Sequence, residues 1–167
     1  MRYRLDVVAS SVVDVVKFAG GWLFDRSMAG WDVTVLLTDD PDDRPLHILG
    51  ARTLDLESVL ASVGTRPRPQ ALAAAADLLG SDPRVRTGVL QALDHGVTEV
   101  TLWGTTWPVE LDDSVGRVQH RLSMAAQTFK AAALAAAAVP VDTIGAVETF
   151  RSGLMARRSV AADLLPA

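Results

Sequence analysis

Arg84, Arg86, Thr87 and Gln91 have the types and spacing to read a nucleic acid from one helix. Arginine suits guanine edges or phosphates, and glutamine suits adenine. Asp39, Asp40, Asp42 and Asp43 offer hard carboxylate oxygens of the kind Ca²⁺ or Mg²⁺ takes, but Pro41 splits them and a calcium loop's glycine and closing glutamate are absent. A solvated turn is the preferred reading there. Ser10, Ser11 and Asp39 are the polar groups a small nucleotide-binding domain would use. His47, His95 and His120 have neither metal-ligand spacing nor a neighbouring nucleophile, and adjacent helical residues such as Asp94 and His95 do not face one another. Cysteine is absent, which removes disulfides, thiolate metal sites and cysteine nucleophiles. No residue is assigned to catalysis, metal or cofactor.

With 167 residues, 49% apolar and 22% charged, the chain can bury the core of one domain. A net charge of −4 gives no general attraction to polyanions, so any DNA contact must be a local patch. Basic residues are 14 Arg against 2 Lys, and alanine is abundant, as in the coding bias of a GC-rich, actinobacterial-type genome. Asp6 and Asp14 interrupt the first apolar stretch, so no secretory signal is read and a cytoplasmic location is expected. Ala131 to Val141 is too short to span a bilayer.

The elements that must position these residues follow from periodicity. Leu5, Val8, Val12, Val15, Ala19 and Leu23 favour one helix from Leu5 to Met28. The competing reading makes 4–10 a strand and starts the helix at Ser11 as its cap. Asp32–Thr38 and Leu46–Ala51 read as an antiparallel hairpin, because the turn between them looks too short for a crossover helix. Leu54–Val63 reads as a short helix, and Gly64-Thr65-Arg66-Pro67-Arg68-Pro69 as a linker, the one candidate sub-boundary in a single domain spanning 1–167.

Residues 70–111 give a helix from Gln70 to Leu79, a turn at Gly80, and a second helix opened by Ser81-Asp82-Pro83 and closed at His95-Gly96. A hairpin about Gly104-Thr105 then pairs Leu102 with Trp107, Val100 with Val109 and Thr98 with Leu111, leaving Trp103 on the exposed face. Farther on, Val115, Val118, Leu122, Ala125 and Phe129 form a seam along a long Ala-rich helix, 113–138. A last helix is capped by Asp142 with Ile144, Val147, Phe150 and Leu154 inward, and the chain frays from Arg157.

The order helix, turn, helix, hairpin over 70–111 resembles a winged helix-turn-helix. That resemblance implies DNA contacts through Arg84, Arg86 and Gln91, although Arg86 falls where a buried aliphatic is usual and Pro83 extends the turn. Gly30-Trp31-Asp32-Val33-Thr34-Val35-Leu36-Leu37 is similar to the second strand of dinucleotide-binding and sugar-nucleotide transferase domains, but Ala9-Ser10-Ser11 stands where their glycine-rich phosphate loop would be. The expected fold is α+β, with two antiparallel hairpins forming or sharing a sheet packed by helices. The expected function is a non-catalytic regulatory or adaptor module. It would contact an unidentified protein partner through Trp103 and Trp107 and form a homodimer through Val115, Val118, Leu122 and Phe129. A winged helix-turn-helix regulator and a small nucleotide-binding α/β domain are the alternatives.

Overall fold

The computed structural model of the chain describes residues 2–38, 42–62, 64–111, 115–153 and 162–167. Strand β1 (Arg4–Ala9) is followed by Ser11, whose hydroxyl accepts the Asp14 amide at 3.2 Å and caps helix α1 (Val12–Met28). The single helix from Leu5 is therefore replaced by the strand and capped helix. Leu5, Val7 and Ala9 are buried toward one core and Val8 toward the other, so three-four spacing misleads in a strand covered on both faces.

Strand β2 (Asp32–Leu37) pairs in parallel with β1 and with β3 (Arg52–Asp55). The segment expected as the second arm of a hairpin is instead helix α2 (Arg44–Ile48), opened by Pro45 and buried through Leu46. Five helical residues are enough to turn the chain back for a parallel strand. The expected 54–63 helix is the end of β3 followed by α3 (Leu56–Ala61).

The expected 70–79 helix divides into strand β4 (Ala71–Ala75) and helix α4 (Ala76–Ser81). Alanine favours a helix locally, but here β1 and β5 pair with both edges of the segment and bury it. Helix α5 (Pro83–His95) matches its sequence signals: the Asp82 carboxylate accepts the Arg84 amide at 2.9 Å, and Gly96 closes the helix at φ +67°. Strand β5 (Glu99–Trp103) lies parallel to β4 and antiparallel to β7. No hairpin forms at Gly104. The chain leaves β5 through a loop that holds a short 3₁₀ turn, Val109–Leu111.

The long Ala-rich helix is shorter than expected, because Val115 and Val118 belong to strand β6 (Val115–Arg121) and only Met124–Ala136 forms helix α6. The seam through Val115, Val118, Leu122 and Phe129 is thus not one helical face. Ser123 caps α6 and Phe129 stacks on Phe24 with ring centroids 4.5 Å apart. Val147 and Phe150 lie on strand β7 (Val147–Gly153) instead of a last helix, and Leu154 lies outside the described residues. The expected fray does not hold for 162–167, which carry β8 (Leu165–Pro166) and a buried Leu164.

The result is a mixed α/β fold in which the described residues form an eight-stranded sheet in the order β3-β2-β1-β4-β5-β7-β6-β8. The β3-β2-β1-β4-β5 half is parallel, and β7, β6 and β8 add antiparallel strands beyond it. One core, between the sheet and α1, α2 and α6, holds Trp22, Leu23, Leu46, Trp103 and Leu134. The other, beneath α3, α4 and α5, holds Leu56, Leu78, Val85 and Leu102. Among the described residues no helix is long and apolar enough to cross a membrane.

Candidate functional site

The winged helix-turn-helix reading fails on the fold, since the first half of its first helix is strand β4, inside the sheet, and its wing does not form. The arginines meant for DNA are held by carboxylates. Arg84 bonds both Glu57, at 2.7 and 2.8 Å, and Asp82, and Arg86 pairs with Glu110. The Arg84 guanidinium holds the Glu57 and Asp82 carboxyls below the usual carboxylate range. Gln91 lies apart from both, in a cavity beside α5.

In a parallel α/β sheet, ligands gather beyond the carboxyl ends of the strands, at the point where connections leave in opposite directions. Here that point lies between β1 and β4, so Ser10, Ser11 and the first turn of α1 sit at the expected edge. The Asp14 carboxylate in that turn accepts the Trp103 indole N–H at 3.0 Å, joining α1 to the end of β5. Trp103 is only 1% exposed, so it is not the surface contact expected of it. Gly104 follows at φ +133°, and a Cβ there would come within 3.2 Å of the Ala76 Cβ, so the exits of β4 and β5 close on one another.

Beyond β5 a cavity of about 470 Å³ opens, lined by Trp103, Thr105, Trp107, Arg117, Thr149 and Arg151. Arg117 and Arg151 are direct partners across the β6–β7 ladder and so share one face of the sheet. The Arg151 guanidinium carbon also lies 4.9 Å from the Trp107 ring centroid, a cation–π contact. Two guanidinium groups beside an indole form a cradle for an acidic group attached to a planar body. Trp107, expected at a partner contact, lies in this cavity wall.

The strongest electrostatics lie under α1, and the sequence reading found none of it. The Glu148 carboxylate accepts the amides of Gly21 and Trp22 at 2.9 and 2.7 Å and the Lys130 ammonium at 2.7 Å. Burial pushes the Glu148 carboxyl above the usual carboxylate range, with Lys130 and the two amides pulling the other way. Arg26 is buried between Trp22 and Trp31 and bonds Glu99 at 2.8 Å and Asp163 at 2.6 Å. His120 and Ser123 both bond the Asp25 carboxylate, at 2.7 and 2.6 Å. The carboxylate stands between serine and imidazole, so the order is not that of a serine activated by a histidine that a carboxylate orients. His47 pairs with Asp43, and His95 bonds the Gln91 carbonyl. The one visible hint of this network was Gly20-Gly21 inside a helical pattern: a Cβ on Gly21 would lie 2.2 Å from Leu122.

In the aspartate-rich turn, Arg44 bonds Asp42 and Thr53 bonds Asp43, while Asp39 and Asp40 lie outside the described residues. Among the described residues no group of three or more His, Cys, Asp or Glu could hold a metal ion.

No protein-family model matches the chain, and no curated relative does at a significant level. Solved structures do resemble it. The A40926 pseudoaglycone deacetylase Dbv21 is 16% identical with a TM-score of 0.62, over 95% of this chain and 100% of that one. The zinc-inhibited form of teicoplanin deacetylase Orf2 is 14% identical with a TM-score of 0.52, over 79% and 82%. The hydratase GalB of Pseudomonas putida KT2440, which acts on 4-carboxy-2-hydroxymuconate, is 13% identical with a TM-score of 0.59, over 94% and 98%. Zinc takes a close group of nitrogen, sulfur or carboxylate donors, whereas the described strand ends here offer Ser10, Ser11, Thr38, Thr105 and the separate carboxylates of Asp14, Asp55 and Asp77, with Asp14 already engaged by Trp103. That donor set does not fit a zinc ion. The non-catalytic adaptor reading is overturned by these neighbours, which are enzymes, and by the burial of Trp103 on which it rested. What the chain shares with them is a fold: a doubly wound α/β sheet of the kind built by these deacetylases and this hydratase.

Proposed function

We propose that this chain is an enzyme-fold domain that takes a small, planar polycarboxylate in the cavity at the end of β5. Arg117 and Arg151 hold the carboxylates, and Trp107 supports the planar body. The observation that carries the reading is the direct pairing of Arg117 with Arg151 on the wall of a cavity that also contains Trp107. Arginine takes a carboxylate by charge-assisted hydrogen bonds, often in bidentate fashion, so two guanidinium groups on one wall suit an acidic ligand. One structural neighbour acts on 4-carboxy-2-hydroxymuconate, a polycarboxylate by its name, which supports the same ligand class.

The test is a tryptophan-fluorescence titration with muconate and with its dimethyl ester. Saturable quenching by the diacid alone is expected, weakened about tenfold or more in Arg117→Ser, the loss of one charge-assisted bond. Equal response to the diester, or an unchanged affinity in Arg117→Ser, refutes it.

A further inference from the structure

A second cavity, of about 460 Å³, lies at the opposite edge of the sheet, where β4 and β5 begin. Its floor is the sheet face of Leu36 and Leu72 with the buried Asp6 between them, and its walls are the 64–69 segment and one face of α5. That face reads Gly88, Gln91, Ala92 and His95, the three-four-seven spacing of a single helical stripe. A stripe turned toward a sheet is ordinarily apolar and bulky. This one is small and polar.

Gly88 is the telling residue. It stands in the interior of α5, where glycine weakens a helix relative to alanine. No packing contact among the described residues requires it, because a Cβ built there meets none of their atoms within 4 Å. Gly21 differs, since Leu122 forbids any side chain there. A glycine that no neighbour demands, on the wall of a cavity, keeps the cavity open.

The charges around it select a sign. The Asp6 carboxylate is already held by Arg66 at 3.0 Å and by Arg4 at 3.3 Å. Among the described residues Arg68 has no carboxylate within ion-pair distance, and Arg66, Arg68 and His95 line the cavity together. The two guanidinium groups of Arg66 and Arg68 outnumber the one Asp6 carboxylate set in the floor, so the balance is positive.

We infer that the α5 cavity is a second binding site, separate from the one at the end of β5, for a small molecule with an apolar body and a single acidic group. The body lies over Leu36, Leu72 and Ala92 beside Gly88, and Arg66 and Arg68 meet the acid. Arg66 is oriented for this by Asp6.

Fluorescence titration with the anionic dye anilinonaphthalene sulfonate and its uncharged counterpart phenylnaphthylamine tests the inference. A saturable sulfonate site is expected that Gly88→Leu removes and Arg117→Ser retains, with circular-dichroism melting confirming that both variants fold. Arg68→Gln, an exposed change, weakens that site about tenfold for the sulfonate and leaves the uncharged dye unaffected. The inference is overturned if no saturable sulfonate site exists, if a folded Gly88→Leu keeps every site, or if Arg68→Gln weakens both dyes alike. Loss of the site in Arg117→Ser alone would assign the binding to the β5 cavity and also overturn it.

Discussion

Replacing Lys130 by methionine leaves Glu148 with two backbone amides as its remaining polar partners among the bonds seen here. Both side chains of the pair are almost wholly buried, Lys130 at 7% and Glu148 at 4% exposure. Breaking a buried pair by removing one partner costs about 3–5 kcal/mol, because the charge left behind is uncompensated. Domains of this kind are stable by about 5–15 kcal/mol, so the loss is a large fraction of the whole. At roughly 2–4 °C per kcal/mol for a chain of this size, the midpoint falls by about 6–20 °C. Lys130 also donates to the Lys17 carbonyl at 2.7 Å, so the variant frees a helical acceptor as well. The loss depends on pH with a definite sign. Burial already raises the Glu148 carboxyl, and without Lys130 only the amides oppose that rise. A carboxyl whose folded pKa exceeds its unfolded value contributes stability that is complete below the unfolded pKa and is lost as pH rises through the folded one. Lys130→Met is therefore least destabilised near about pH 4 and most above neutrality, the unfolded value being about 4.3. Urea denaturation of the wild type, Lys130→Met, Glu148→Leu and the double variant measures both effects. The double variant is expected to be more stable than either single one. A pH-independent loss, or single-variant losses that add within about 0.5 kcal/mol, would refute a coupled buried pair.

Other consequences are simpler to measure. Trp103→Phe removes the indole donor to Asp14 and is expected to cost about 1.5–3 kcal/mol in urea denaturation, the range for a bond to a charged group. A loss below about 0.5 kcal/mol, the scatter of inert surface changes, would show that Trp103 does not tie α1 to β5. Gly88→Ala is expected to raise stability by about 0.5–1 kcal/mol, because it strengthens α5 and its methyl group enters open space. Destabilisation instead would reveal a packing demand on that glycine. Zinc titration followed by equilibrium dialysis is expected to leave no stoichiometric metal on the protein, and one tightly held equivalent would contradict the donor set read at the strand ends.

What the sequence disclosed was whatever depended on local chemistry. Asp82, Pro83 and Gly96 bounding α5 are short-range hydrogen bonds and backbone preferences that neighbouring residues settle alone, whereas Ser11 capping α1 was legible only in the competing reading to one helix from Leu5. What it concealed depended on burial from both sides. Ala71–Ala75 is helix-prone in isolation and becomes a strand only because β1 and β5 flank it. Val115, Val118 and Leu122 fit a helical seam, yet β7 pairs with β6 along its whole length and fixes the extended form. The same blindness explains the misplaced tryptophan. An exposed Trp103 followed from pairing Leu102 with Trp107, and once β5 pairs with β4 instead, Trp103 turns inward to Asp14. Both cavities assemble residues from separate elements: one is lined by Trp107, Arg117 and Arg151, and the other by Asp6, Arg66 and Gln91. No local motif can announce such a site. The exceptions are the glycines, where sequence carries a trace of distant packing. Gly21 records the approach of Leu122, and Gly88 records space that none of the described residues fills. Each is a local cost without a local reason, and the reason lies across the fold.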